Sequence, residues 1–267
     1  MTKWLKQNRG FLIFLLCFGF FRSALADWNP IPSGSMRPTL LEGDVVLVDR
    51  LAYDLKVPLT DVIILTLSSP RRGDVVTFTS PSDGVRLIKR LVGLPGDTVE
   101  MREEVLFING SAAEYGDSLL VAEPMDFGGE ALRGVRVTER IQGSVRTVQF
   151  LPALSAKRSF GPFVVPQGTY FFLGDNRDNS ADSRYIGAVP RRLLIGRAHH
   201  VLVSANIKGD WLPRLERVGV RIQEGLGCHN PSIERTSQKP LRALWPAVSF
   251  VVRPHNSRLR PTGAVSQ

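Results

Sequence analysis

Hydrophobic and polar positions divide the chain into three stretches. The first is an unbroken apolar run, Phe11–Phe21, preceded by Lys3, Lys6 and Arg9 and followed by Arg22-Ser23-Ala24-Leu25-Ala26. Eleven helical residues rise only about 16 Å, against roughly 30 Å of hydrocarbon. Counting from Trp4 to Ala26 supplies the length, provided Lys6, Arg9 and Arg22 reach back to the headgroups. Two readings stay open on these residues alone. One is a signal peptide cut after Ala24-Leu25-Ala26. The other is a retained anchor with its basic end in the cytoplasm. Both export the remainder of the chain.

The second stretch begins with NPIPSGSMRPT (residues 29–39), whose three prolines exclude a helix. Short runs rich in β-branched residues come next at 43–54, 71–80, 84–93 and 96–110, separated by Gly, Pro and Asp. That spacing predicts an all-β sheet or barrel and not βαβ units. Residues 111–164 are less regular, with weak strand patterns at 134–138 and 145–150, and read as an inserted lobe. Strand patterning resumes at Thr169 and ends near Leu193–Ser204. The third stretch, from about Pro231, is a Pro- and Arg-rich tail whose apolar patch, Leu244–Val252, contains Pro246 and is too short to span a bilayer.

Charge narrows the classes of function. The chain of 267 residues carries +9. Residues 1–26 hold four bases and no acid, and residues 229–267 hold six bases against Glu234, so the middle is neutral. A folded part with no basic excess speaks against nucleic acid as a partner. Cys17 lies in the apolar run and Cys228 near the tail, so no disulfide framework is implied.

Candidate chemistry is found partly by elimination. His229 and His255 are at or in the tail, and strand alternation sends His199 and His200 to opposite faces, so neither a Ser-His-Asp triad nor a zinc site is expected. The loop 174–187 alternates Asn176, Asp178, Ser180 and Asp182 like a calcium loop. However, Ala181 and Gly187 stand where glycine and a bidentate glutamate are needed, and no metal or cofactor is expected. A serine hydrolase without histidine needs another base, and a lysine serves if burial lowers its pKa. Alternation in 86–91 puts Leu87, Lys89 and Leu91 on one face, so Lys89 is the lone charge on an apolar stripe. Ser35 sits in a Gly/Pro-constrained turn before a strand. Taken alone, Lys89 also fits a snorkelling edge lysine and Ser35 a plain turn.

The run Ile31–Leu40 (IPSGSMRPTL) resembles the nucleophile box of bacterial type I signal peptidases. Residues 72–76 (RGDVV), 89–97 (KRLVGLPGD) and 174–187 (GDNRDNSADSRYIG) resemble the family's next three boxes, in the family's order. This resemblance implies a largely antiparallel β catalytic domain (27–110 with 165–228), an inserted second lobe (111–164), an anchor helix in 1–26 and an extra tail (229–267). It implies Ser35 as nucleophile and Lys89 as general base, with Ser33 and the Ser35 N–H as oxyanion hole. Ser180 would hydrogen-bond and orient Lys89. Ion pairs Asp175–Arg90 and Asp182–Arg184 would fix the Ser180 loop, and Ile31, Pro32 and Ile88 would line shallow pockets for small residues.

The implied partners are preprotein signal peptides and the lipid bilayer, with secretion machinery nearby. The implied location is the bacterial inner membrane, single-pass, with the catalytic domain on the periplasmic side. The family also tips the first stretch toward a retained anchor, since thirteen residues from Arg22 to Ser35 reach at most about 45 Å. Longer enterobacterial-type members have two apolar segments and a cysteine pair in the second lobe, both missing here. A maturation peptidase dedicated to one pilin or conjugation subunit, a self-cleaving repressor and a β-rich binding module are the rival classes.

Overall fold

The computed structural model describes residues 4, 7–14, 26–57, 60–124 and 131–222. The apolar run falls partly on described residues, of which 9–14 are helical. No helix among the described residues is long and apolar enough to cross a membrane. The expected anchor and the tail therefore lie largely outside the described residues.

Among the described residues sixteen strands form the body, and every strand pair is antiparallel. The largest sheet joins β1 (Ala26–Pro30), β2 (Asp44–Asp49), β16 (Leu194–Ser204), β5 (Val75–Thr79), β6 (Arg86–Gly93), β14 (Thr169–Leu173) and β15 (Val189–Pro190), in that order. Between β6 and β14 the chain builds two smaller sheets. One is β13 (Phe160–Val164), β7 (Thr98–Arg102), β8 (Val105–Ile108) and β9 (Ser111–Ala112); the other is β10 (Glu114–Glu123), β11 (Leu132–Ile141) and β12 (Ser144–Phe150). The remaining pair, β3 (Asp54–Lys56) and β4 (Ile63–Thr66), is a separate hairpin.

Period-2 patterning explains the large sheet. β2 alternates buried and half-buried residues, sending Val46 and Val48 into a core with Ile31, Met36, Leu40, Val75 and Ala198. The later residues of β6 are buried on both faces, because Leu91 packs with Val76, Phe78 and Phe172 while Arg90 faces a buried carboxylate. Two local features depart from simple strand grammar. The run 96–110 is two strands, β7 and β8, joined by a turn in which Glu103 and Glu104 take φ of 46° and 74°. The histidines are not on opposite faces: a register shift between Ala198 and His200 brings the two rings together, Nδ1 to Nδ1 at 2.8 Å. An extra residue at a bulge cancels the alternation.

Candidate active site

Ser35 lies in a single 3-10 turn, Gly34–Met36, that comes after β1. The turn is closed by the Arg37 N–H donating to Gly34 O at 3.0 Å. In the first turn of such a helix the N–H groups have no internal partner, which leaves the Ser35 N–H without a partner inside the turn. Ser33 occupies the cap position without spending its hydroxyl on the turn, and its Oγ lies 3.4 Å from Ser35 Oγ.

Lys89 comes from the middle of β6, opposite Val76 of β5. It is 3% exposed, and its amine contacts Ser35 Oγ at 2.7 Å and Ile88 O at 3.1 Å. Burial lowers its pKa to about 8, with Asp182 and Asp175 pulling it partly back. The amine is therefore neutral in about a tenth of molecules at pH 7, far more than for an ordinary lysine, with a lone pair available.

The loop after β14 closes the site. Strand register sets its position, because Leu173 pairs with Arg90, next to Lys89. Arg90 grips Asp175 bidentately, Nε to Oδ1 at 2.8 Å and Nη2 to Oδ2 at 2.6 Å, with both side chains buried. Arg184 holds Asp182 likewise, at 2.8 and 2.9 Å, and Asp182 also accepts the Gly174 N–H at 2.9 Å. Asn176 then ties the loop to the nucleophile turn: its N–H donates to Ser35 O at 3.1 Å and its Nδ2 to Gly34 O at 3.0 Å.

Ser180 comes to the same place without the expected hydrogen bond to Lys89. Its Oγ is buried and has no hydrogen-bond partner. It packs on Gly174, where an added Cβ would sit 2.2 Å from Ser180 Oγ and 2.6 Å from Ser35 O. Only a glycine permits that approach. Of the expected pocket residues, Ile31 is 2% exposed and packs in the core with Ile88 against it, which leaves Pro32 and Ile88 accessible.

Several participants have no local signature in the sequence. Arg37, two residues past Ser35, pairs with Glu42 at 2.7 Å and with Glu123 of β10. Arg177, inside the last box, pairs at 2.6 Å with Glu139 of β11, which also takes Arg146. The small β10–β12 sheet thus grips both the nucleophile turn and the Ser180 loop. Arg177 and Glu139 lie 38 residues apart and Arg37 and Glu123 lie 86 apart, so only a knowledge of the tertiary fold would have found these two pairs.

The family profile described as signal peptidase, peptidase S26, matches residues 1–203. A signal peptidase I from Pseudomonas fluorescens is 37% identical over 231 residues, covering 80% of this chain and 78% of its own. That of Pseudomonas aeruginosa is 36% identical over 228 residues, with the same two coverages. That of Rickettsia typhi is 32% identical over 224 residues, covering 77% and 83%. With a serine and a buried lysine in contact and a profile match over most of its length, the chain belongs to the signal peptidase family, peptidase S26, and is a serine peptidase.

Proposed function

We propose that this chain is a membrane-bound endopeptidase that removes N-terminal signal peptides from exported preproteins, with Ser35 as nucleophile and Lys89 as general base. The observation that carries the reading is the 2.7 Å contact between Lys89 Nζ and Ser35 Oγ at a lysine whose pKa burial lowers to about 8. Neutral Lys89 accepts the Ser35 proton as Oγ attacks the carbonyl carbon of the scissile bond. The developing oxyanion takes hydrogen bonds from the Ser33 hydroxyl and the Ser35 N–H. Protonated Lys89 then gives its proton to the departing amine, leaving an ester on Ser35. Water, deprotonated by Lys89, hydrolyses that ester and restores both groups. The pairs Asp175–Arg90 and Asp182–Arg184 hold the loop after β14 against the nucleophile turn.

Substrates are cut after small residues of the Ala-x-Ala type, which meet the accessible Pro32 and half-buried Ile88 beside Ser35. Residues 1–26 are a retained anchor in the inner membrane, with the catalytic domain (27–110 and 165–228) and the lobe (111–164) on the outer side. No cofactor takes part. Purified full-length chain in detergent, given a preprotein, tests the reading. Wild type is expected to cleave with a rate that rises with pH through about 8. Ser35→Ala and Lys89→Ala are each expected to lower the rate by about 10³-fold or more while folding normally. Normal activity in either folded variant refutes the dyad. Mass spectrometry checks the anchor: a mature chain that begins at Asp27 refutes retention.

A further inference from the structure

A closed circuit of polar contacts runs from the nucleophile turn through the small β10–β12 sheet and back. Glu123, the last residue of β10, is buried and takes an arginine on each carboxylate oxygen: Arg37 on Oε2 and Arg136 of β11 on Oε1. Arg136 donates on to its cross-strand neighbour Gln149 of β12, Nε to Oε1 at 2.8 Å. The Gln149 backbone is bonded to the loop after β14, its N–H donating to Asp175 O and its O accepting the Arg177 N–H, both at 2.8 Å. Asn176, between those two, donates to Ser35 O and Gly34 O. Gly34 O also accepts the Arg37 N–H, which closes the circuit. Glu123, Arg136 and Gln149 all lie outside the four sequence boxes.

The turn that carries Ser35 needs such support. A single 3-10 turn fixes three residues for one poorly aligned hydrogen bond, so it does not hold its shape alone. Arg37 folds back across it: a Cβ on Gly34 would come 3.2 Å from Arg37 Cδ and 2.9 Å from Glu42 Oε1. On that side the turn borders a cavity of about 230 Å³, lined by Gly34, Arg37, Glu42, Glu123, Leu151 and Asn176. Close packing therefore does not fix the turn there, and the carboxylates on Arg37 do. Glu42 holds the Nε at 2.7 Å but belongs to the same segment as the turn, whereas Glu123 ties the Nη1 to the sheet.

We propose that Glu123 is a positioning residue for the cleavage reaction, holding the nucleophile turn through Arg37 so that the Ser35 Oγ and N–H stay aimed at the scissile carbonyl. The proposal rests on the reading of Ser35 as the nucleophile. Glu123 acts on the turn and not on the base, since the carboxylates that act on Lys89 are Asp182 and Asp175. Misplacing a reacting group by about 1 Å costs on the order of 10²-fold in rate. Loosening the turn therefore lowers kcat, while the groove that binds substrate stays as it is.

The test measures kcat and KM for a preprotein across pH with full-length protein in detergent, the folded fraction of each variant being read by circular dichroism. Glu123→Gln, which keeps the shape and removes the charge, is expected to lower kcat at least about tenfold, with KM within about twofold of wild type and the midpoint of the pH–rate curve still at about 8. Arg37→Met combined with Glu123→Gln is expected to cleave no more slowly than Arg37→Met alone, because the carboxylate acts through that arginine. Wild-type kcat in folded Glu123→Gln overturns the proposal. So does a loss no larger than the unfolded fraction, which is a structural role only, and so does a shifted midpoint, which places the effect on Lys89. Losses that multiply in the double variant also overturn it. Should Glu123→Gln not fold, Arg136→Gln breaks the circuit at a half-buried residue, with the same split between kcat and KM expected and an unchanged kcat refuting the circuit. Ser35→Ala separates the two readings: if it is inactive while Glu123→Gln cleaves normally, only the positioning role fails, and if it cleaves normally, the nucleophile assignment fails with it.

Discussion

At the residue scale, Lys89 sits where a charged amine is costly. Its pKa in the folded chain is about 8, against 10.5 for an ordinary lysine, because burial opposes the charged form. Below pH 8 the amine is protonated in both folded and unfolded chains, so the folded state bears the full penalty. Between about 8 and 10.5 the unfolded chain holds the proton that the folded chain has shed, and stability rises with pH. Above 10.5 the penalty is gone. The difference amounts to about 3 kcal/mol at 1.36 kcal/mol per unit. Lys89→Met keeps the length without the charge. It is expected to abolish cleavage and yet unfold at higher urea than wild type at pH 7, with the gain fading as pH approaches 10.5. Equal midpoints at pH 7 would show that the folded chain carries no penalty for the charge. Gly174 makes the complementary point, since its missing Cβ is what lets Ser180 reach the back of the nucleophile turn.

At the scale of elements, the site is a joint between three separate pieces: the turn after β1, strand β6 and the loop after β14. The first two were legible in the sequence. Constrained Ser35 and the apolar stripe around Lys89 are local patterns, and the ordered boxes pointed to the Asp175–Arg90 and Asp182–Arg184 pairs. What the sequence did not show is how the β10–β12 sheet grips the joint, because Arg37–Glu123 and Arg177–Glu139 are distant pairs that no periodicity marks. The bulge at His200 and the Glu103–Glu104 turn were missed for another reason: a one-residue irregularity leaves no trace in an alternating pattern. Burial would raise the Glu139 pKa, but Arg146 and Arg177 outweigh it and hold the carboxyl at about 2, below the ordinary 4.5. Such a depressed carboxylate contributes its stability in full above pH 4.5 and loses it as pH falls toward 2, about 3 kcal/mol in all. Glu139→Gln leaves two arginines buried with less compensation and is expected to cost about 3–5 kcal/mol at pH 7. Its deficit should shrink as pH falls below 4.5. Urea unfolding of both proteins at pH 7 and pH 3 checks this, and a deficit unchanged at pH 3 would mean that charge pairing is not its source.

At the scale of the whole molecule, the proposed anchor in residues 1–26 makes the large sheet a spacer between membrane and scissile bond. β1 begins at Ala26, on the side of the apolar run, and ends at Pro30, after which Ile31 bonds to Asp44 and the chain enters the Ser35 turn. Four strand steps of about 3.3 Å put the turn roughly 13 Å from the entry end. With that end facing the bilayer, a substrate leaving the acyl region needs about four or five extended residues to reach Ser35. Spacing and recognition can then be separated. A membrane-embedded preprotein with only two residues between its apolar core and an Ala-x-Ala site should be cut at least tenfold more slowly in vesicles than one with five. A soluble peptide carrying the same cleavage site should be cut at one rate whichever spacer precedes it. Equal rates for the two preproteins in vesicles would mean that the sheet does not stand between the bilayer and Ser35, and that the domain lies flat.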